Sequence, residues 1–184
     1  MRICKTMDIE LDSPTAVALG TFDGVHLGHR RVISSAVSAA REEGLVPTVF
    51  TFSDLPRNAF LPAEAQIMPL CSFSEKAGLI ESLGAELLIA PEFAEVKDVP
   101  AEEFIDEIII GRLKAAHVVC GEDHRFGAGA GGDAELLIKL CLKKGVAVTL
   151  VPPVKSCGER ISSTLIRALI SEGKEAEAKK LLGV

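Results

Sequence analysis

Two histidines, His26 and His29, stand three residues apart in the stretch GTFDGVHLGHRR, with Gly20, Gly24 and Gly28 interleaved. Glycine permits tight turns and close approach of a ligand to the backbone, and a helical apolar stripe begins directly afterwards, so the loop offers unpaired N–H groups at a helix start. Two imidazoles placed there can donate hydrogen bonds to one phosphate and follow the charge that develops on it. Two other uses stay open on spacing alone. The histidines can cap the helix, or H-x-x-H with Asp23 nearby can supply metal ligands, although no H-E-x-x-H and no clear third ligand accompany them.

Two further loops carry polar groups suited to an anion. GEDHRFGAGAGGD offers Asp123 and Arg125 with Phe126 as a flat wall. Gly127, Gly129 and Gly132 there satisfy G-x-G-x-x-G, but the motif is offset from the strand and lacks the acidic residue a dinucleotide fold places about 20 positions on. ISSTLIRALISEG sets Ser162 or Ser163 as the cap of a helix with the apolar stripe Leu165, Ile166, Leu169 and Ile170, leaving hydroxyls, amides and Arg167 to converge on an anion. An exposed ion pair and an ordinary serine cap account for the same residues without a ligand. The chain contains no G-x-x-x-x-G-K-[ST] and no G-x-S-x-G, so phosphate handling here is neither that of a P-loop nor that of a serine nucleophile.

The elements that must position these loops read as short β-rich apolar runs alternating with helical periodicity. Five strands are predicted at 15–19, 47–52, 86–90, 117–121 and 146–151. Val32, Ile33, Ala36, Val37 and Ala40 form one helical stripe ending at Gly44; Leu136, Leu137, Leu140 and Cys141 form another ending at Gly145. A third helix is predicted over 74–83, and Pro100 followed by two acids opens a fourth. Near-continuous apolar strands between helices predict an α/β, doubly wound parallel sheet of about five strands, in which ligands bind at the carboxyl ends near the switch in strand order. The three loops all follow predicted strands. The proline-rich 53–71 stretch is the long irregular excursion.

With 184 residues and 48% apolar composition, the chain is expected to form a single domain over 1–184 with a proper core. Its formal charge of −6 argues against a broad grip on nucleic acid or on an anionic membrane, so any anion site has to be local. No apolar stretch approaches bilayer length, and no signal-like segment opens the chain. Five scattered cysteines without C-x-x-C read as free thiols of a reducing compartment, which places the expected protein in the cytoplasm.

In this order and spacing, GTFDGVHLGH, GEDHRFG and ISSTLIR resemble the FMN adenylyltransferase module of bacterial bifunctional riboflavin kinase/FAD synthetases, within the H-x-G-H nucleotidyltransferase superfamily. TFSDLP, SEKAGLIESLGAELLIAPEF, PAEEFI and AKKLLG extend the likeness over nearly the whole chain. The resemblance implies a Rossmann-like nucleotidyltransferase fold and transfer of AMP from Mg-ATP to FMN, giving FAD and pyrophosphate. It implies His26, His29 and Arg167 as catalytic residues, with Gly28 admitting the α-phosphate closely. Gly20, Phe22, Asp23, Gly24, Asp123, Ser162, Ser163 and Thr164 would join Gly28 in binding ATP, and Phe52, Pro56, Asn58, Arg125 and Phe126 would border the flavin. Mg²⁺ would be held mainly by phosphates. The chain departs from the family pattern at Leu55, where a histidine is usual, at His124, where phenylalanine is usual, and at AGAGG, which lacks the usual base after F-G. It also stops at Val184, before the riboflavin kinase region, so kinase activity is expected to be missing. Transfer to another small acceptor and non-catalytic flavin or nucleotide binding are the alternatives.

Overall fold

A computed structural model describes residues 1–183. Its sheet has six parallel strands in the order β1-β4-β3-β2-β5-β6, comprising β1 (Arg2–Cys4), β2 (Thr15–Leu19), β3 (Val46–Phe50), β4 (Leu87–Ile89), β5 (Ala115–Gly121) and β6 (Ala147–Val151). The sequence predicts β2 to β6 and misses β1. Arg2–Cys4 is three residues long and largely exposed, so it has no apolar run to read. All five residues of β2 are buried, as expected of a central strand covered on both faces. The chain builds outward from β2 through β3 and β4 on one side and β5 and β6 on the other, so the switch point lies between β2 and β5.

Alternation along the strands splits the core in two. Val17, Leu19, Phe50, Val118 and Cys120 meet α4 (Ala134–Lys143) and the helix that opens as α3 (Ala101–Glu103) and continues at π pitch over Phe104–Arg112. Ala18, Val49, Leu88 and Val119 face α1 (Leu27–Glu43) and α2 (Phe73–Ser82). The stripe predicted for α1 is buried residue for residue, and Gly44 closes that helix with φ 69°. Ser72 and Glu75 close a reciprocal capping box at the start of α2, one residue earlier than the periodicity places it.

Beyond β6 the chain forms a hairpin of β7 (Lys155–Ser156) and β8 (Glu159–Arg160), which the sequence does not foreshadow. Cys157 and Gly158 both have positive φ at its turn, the geometry of a primed two-residue hairpin. α5 (Ser163–Ser171) and α6 (Glu175–Leu182) follow and share a small apolar cluster around Ile166 and Leu181. Ile170, predicted on the α5 stripe, is instead half exposed. No helix among the described residues is long and apolar enough to cross a membrane.

Candidate active site

The loop after β2 is held in a conformation that few residues adopt. Phe22 (φ 49°) and Val25 (φ 42°) are left-handed although neither is glycine, and Gly24 between them has φ 77°. Such residues cost of order 1–3 kcal/mol each and persist only where the surroundings fix them. Here Asp23 fixes them. Its Oδ1 accepts from the Leu70 amide at 2.9 Å, its Oδ2 pairs with Arg167, and its carbonyl accepts from the Ser163 hydroxyl at 3.1 Å. Arg167 also donates to the Met68 carbonyl at 2.9 Å. The histidine loop, the 68–70 segment and the start of α5 are thus tied through one buried carboxylate.

The loop ends at His26, which caps α1: its Nδ1 accepts from the His29 amide at 3.3 Å. That bond leaves Nε2 as the protonated nitrogen of a neutral ring. His29 lies one turn on, with ring centroids 3.5 Å apart and planes within 16°, and meets Phe22 edge-on at 5.4 Å. Capping and presentation of two stacked imidazoles are therefore one arrangement. The metal reading finds no support, since no group of three or more His, Cys, Asp or Glu among the described residues is placed to hold an ion.

Burial pushes the His26 imidazole down to about 4, with Arg160 adding to the effect and Asp23 opposing it. Burial holds His29 well below the usual value too, reinforced by His26, Lys76 and Arg160. Burial likewise lowers His124 to about 4. These groups stay neutral in the fold and take protons when it opens, so the stability they confer is present above the unfolded histidine value of 6.5 and is lost as pH falls. The melting temperature should decline steadily from pH 6.5 towards 4 in a calorimetric pH series. A flat profile would contradict neutral, buried imidazoles.

Gly28 is expected to leave room for a phosphate; the geometry assigns it a nearer duty. A Cβ there would lie 3.1 Å from the His26 ring, tight enough to make the imidazole shift within its stack. Gly28→Ala should cut turnover by about tenfold while leaving the melting temperature nearly unchanged, as steady-state kinetics beside a thermal scan would reveal.

The histidines open on a cavity of about 760 Å³ at the carboxyl ends of β2, β3, β5 and β6, astride the switch point. Of the residues singled out from sequence, Gly20, Phe22, His26, Gly28, His29, Phe52, Pro56, Asp123, Arg125, Phe126, Ser162 and Ser163 line it. Asp23, Gly24, Asn58, Thr164 and Arg167 do not. Asp23 and Arg167 bind each other behind the wall, and Gly24 packs towards Leu70 and Leu182. Asn58 is a loop brace, its amide exchanging hydrogen bonds with the backbone of Ile67 at 2.8 and 2.9 Å. The Ser162 hydroxyl accepts from the Leu165 amide at 3.1 Å, capping α5, and keeps its own proton to donate.

Four cationic side chains, Arg57, Lys97, Arg125 and Arg160, border the cavity against the single carboxylate Asp123. In a chain of net charge −6 these side chains concentrate positive charge at one place. The opposite half is aromatic. Edge-to-face contacts link Phe50 to Phe52 at 5.6 Å, Phe52 to Phe93 at 5.2 Å and Phe93 to Phe60 at 5.9 Å. Phe104 joins Phe50 at 5.5 Å and Phe126 at 6.0 Å. The cavity therefore offers a place for phosphates beside a place for flat rings.

The family model described as FAD synthetase matches residues 8–165. The chain belongs to that family. The FAD synthetase of Listeria monocytogenes is 36% identical over 94% of this chain and 70% of its own length. The bifunctional riboflavin kinase/FMN adenylyltransferase of the same organism is 34% identical over 97% of this chain, which spans 56% of that relative. A crystal structure from Streptococcus pneumoniae, described as a macrolide-efflux protein, superposes with a TM-score of 0.86 at 33% identity, covering all of this chain and 60% of that one.

In this FAD synthetase-family chain, several cavity residues lie outside the motifs. Arg160 comes from the unforeseen β8, where it pairs with Asp123. A cation directly before ISST was the available clue. Phe60, Phe93 and Phe104 come from three separate segments with no shared spacing, so nothing local in the sequence could group them. Arg125 turns partly outward, towards the Ala130 carbonyl at 3.2 Å and Asp133 at 3.6 Å.

Proposed function

We infer that this chain transfers AMP from ATP to FMN. A phosphate oxygen of FMN attacks the α-phosphorus of ATP, the bond to the bridging oxygen breaks, and pyrophosphate leaves with that oxygen. The observation that carries the reading is the cavity itself, in which Phe52, Phe60 and Phe93 line one part and two neutral, stacked imidazoles at a helix N-terminus line another. FMN and ATP each join a flat ring to phosphate, and the products FAD and pyrophosphate divide the same groups.

His26 and His29 donate N–H to the non-bridging oxygens of the α-phosphate, where charge shifts during in-line transfer. Ser162, Arg160 and the first amides of α5 receive the β- and γ-phosphates, a helix start being suited to anions; the Ser163 hydroxyl is already given to the Asp23 carbonyl. Arg167 acts from behind, through Asp23, to hold that helix start against the histidine loop. The Phe52, Pro56 and Phe126 side is the flavin wall, extended by Phe60, Phe93 and Phe104. Mg²⁺ would arrive with ATP as part of the substrate, and Asp123, now paired with Arg160, is the cavity carboxylate that could meet it. Free thiols at all five cysteines fit a reducing compartment, and we place the reaction in the cytoplasm on that ground.

Purified protein incubated with FMN, Mg-ATP and pyrophosphatase should form FAD, resolved by chromatography, with CTP and non-flavin phosphate esters as poorer substrates. Absence of FAD under these conditions overturns the reading. Ligand binding without pyrophosphate release would identify a regulator instead.

A further inference from the structure

We propose that Lys76 of α2 is a positioning residue for this reaction: its buried ammonium clips the loops that leave β2 and β3 together behind the cavity wall and supplies positive potential to His29. The proposal rests on the adenylyl-transfer reading for its kinetic consequence, not for its geometry.

Lys76 is only 5% exposed, yet both of its hydrogen-bond acceptors are neutral backbone carbonyls. Nζ donates to the Phe52 carbonyl at 2.7 Å and to the Thr21 carbonyl at 3.4 Å. Thr21 belongs to the loop that carries the histidines, and Phe52 belongs to the flavin wall, so one ammonium spans the boundary between the two halves of the cavity. A buried charge without a matching carboxylate is expensive, and an apolar residue of similar length fills such a space at lower cost. Packing does not explain its presence.

What the ammonium provides is register and field. Fixing the Thr21 and Phe52 carbonyls relative to each other fixes the distance between acceptor ring and reacting phosphate, to which transfer rates are steeply sensitive. Its charge reaches the site as well. His29 feels Lys76 together with His26 and Arg160, while His26 feels Asp23 and Arg160. Burial lowers the pKa of Lys76 itself, opposed by the charges of Cys71, Asp23 and Asp54, and its Nζ lies 6.0 Å from the Phe73 ring centroid. The start of α2 is pinned by the Ser72 capping box and by the Lys76 amide bonded to the Ser72 carbonyl at 2.9 Å, so the side chain leaves from a fixed point.

Lys76→Met removes clip and charge, whereas Lys76→Gln keeps a donor for the Phe52 carbonyl and removes only the charge. In FAD-forming assays, Lys76→Met should lose about tenfold in kcat, less than removal of a donor that touches the phosphate, and should raise the KM for FMN. Lys76→Gln should recover the KM and not the kcat. In histidine NMR titrations of both variants, His29 should protonate at higher pH than in the wild type, because a neighbouring positive charge has gone. An unchanged His29 titration with kcat within twofold of wild type overturns the proposal. If the wild type makes no FAD, the adenylyl-transfer reading fails and the titration still decides the role of Lys76. Should the variants not fold, lysine ¹⁵N NMR of the wild type decides. A hydrogen-bonded, slowly exchanging ammonium at neutral pH is expected; a neutral amine overturns the proposal.

Discussion

His29→Ala should lower the rate of FAD formation by about 10²-fold or more while the KM for ATP changes little, the pattern left when a donor that acts mainly in the transition state is removed. Two losses compound. The ring proposed to donate to the α-phosphate disappears, and with it the face on which the His26 ring is stacked at 3.5 Å. His26 would keep its capping bond to the residue 29 amide, because that bond runs to the backbone. The helix start therefore survives, and circular dichroism should remain close to that of the wild type. Steady-state kinetics with chromatographic quantification of FAD measures the effect; a variant within threefold of wild type would remove His29 from the chemistry.

The other large effect is on stability, and it comes from a residue that does not touch the cavity. Asp23→Ala leaves the partly buried Arg167 guanidinium without its carboxylate and releases the Leu70 amide, in a loop whose backbone is already in an unfavourable conformation. Breaking one side of a buried pair costs about 3 kcal/mol at the lower end of the usual range. For a domain of this size that corresponds to a fall in melting temperature of roughly 6–12 °C. Arg167→Ala should cost a comparable amount by stranding Asp23, which is 6% exposed. The double variant should lose clearly less than the two single losses added together. Differential scanning calorimetry on the three proteins provides the test, and strict additivity would mean the pair is not coupled. Both single variants should also lose activity, since the histidine loop and α5 would no longer be locked to each other.

The sequence reading reached furthest where signals are local. The α1 stripe, its glycine stop and the all-buried β2 follow from periodicity and composition, because such elements must hide one face or both. Three loops at strand ends follow from the same pattern. Distinctions between residues that touch the cavity and those that hold the wall were not legible. Asp23 and Arg167 stand inside motif-like stretches, but whether they meet a ligand or each other depends on how α5 returns against the first loop, and no spacing encodes that return. Lys76 sits in an amphipathic helix where lysine normally belongs to a solvated face. Its burial depends on how the loops after β2 and β3 close over it. The aromatic wall was legible only in part: the resemblance named Phe52 and Phe126, but Phe93 meets Phe52, and Phe104 meets Phe50, only once distant segments pack together.

The place of β2 in the sheet has a consequence for synthesis as well as for binding. β2 pairs on one side with β3, which follows it closely, and on the other with β5, where Ala16 stands beside His117 and Ala18 beside Val119. During translation at roughly 5–20 residues per second, one edge of the most buried strand waits several seconds for a partner that has not yet been made. Until it arrives, the nascent chain carries a hydrophobic strand edge of the kind that chaperones recognise, and no ligand of the cavity can protect it because the cavity straddles the missing seam.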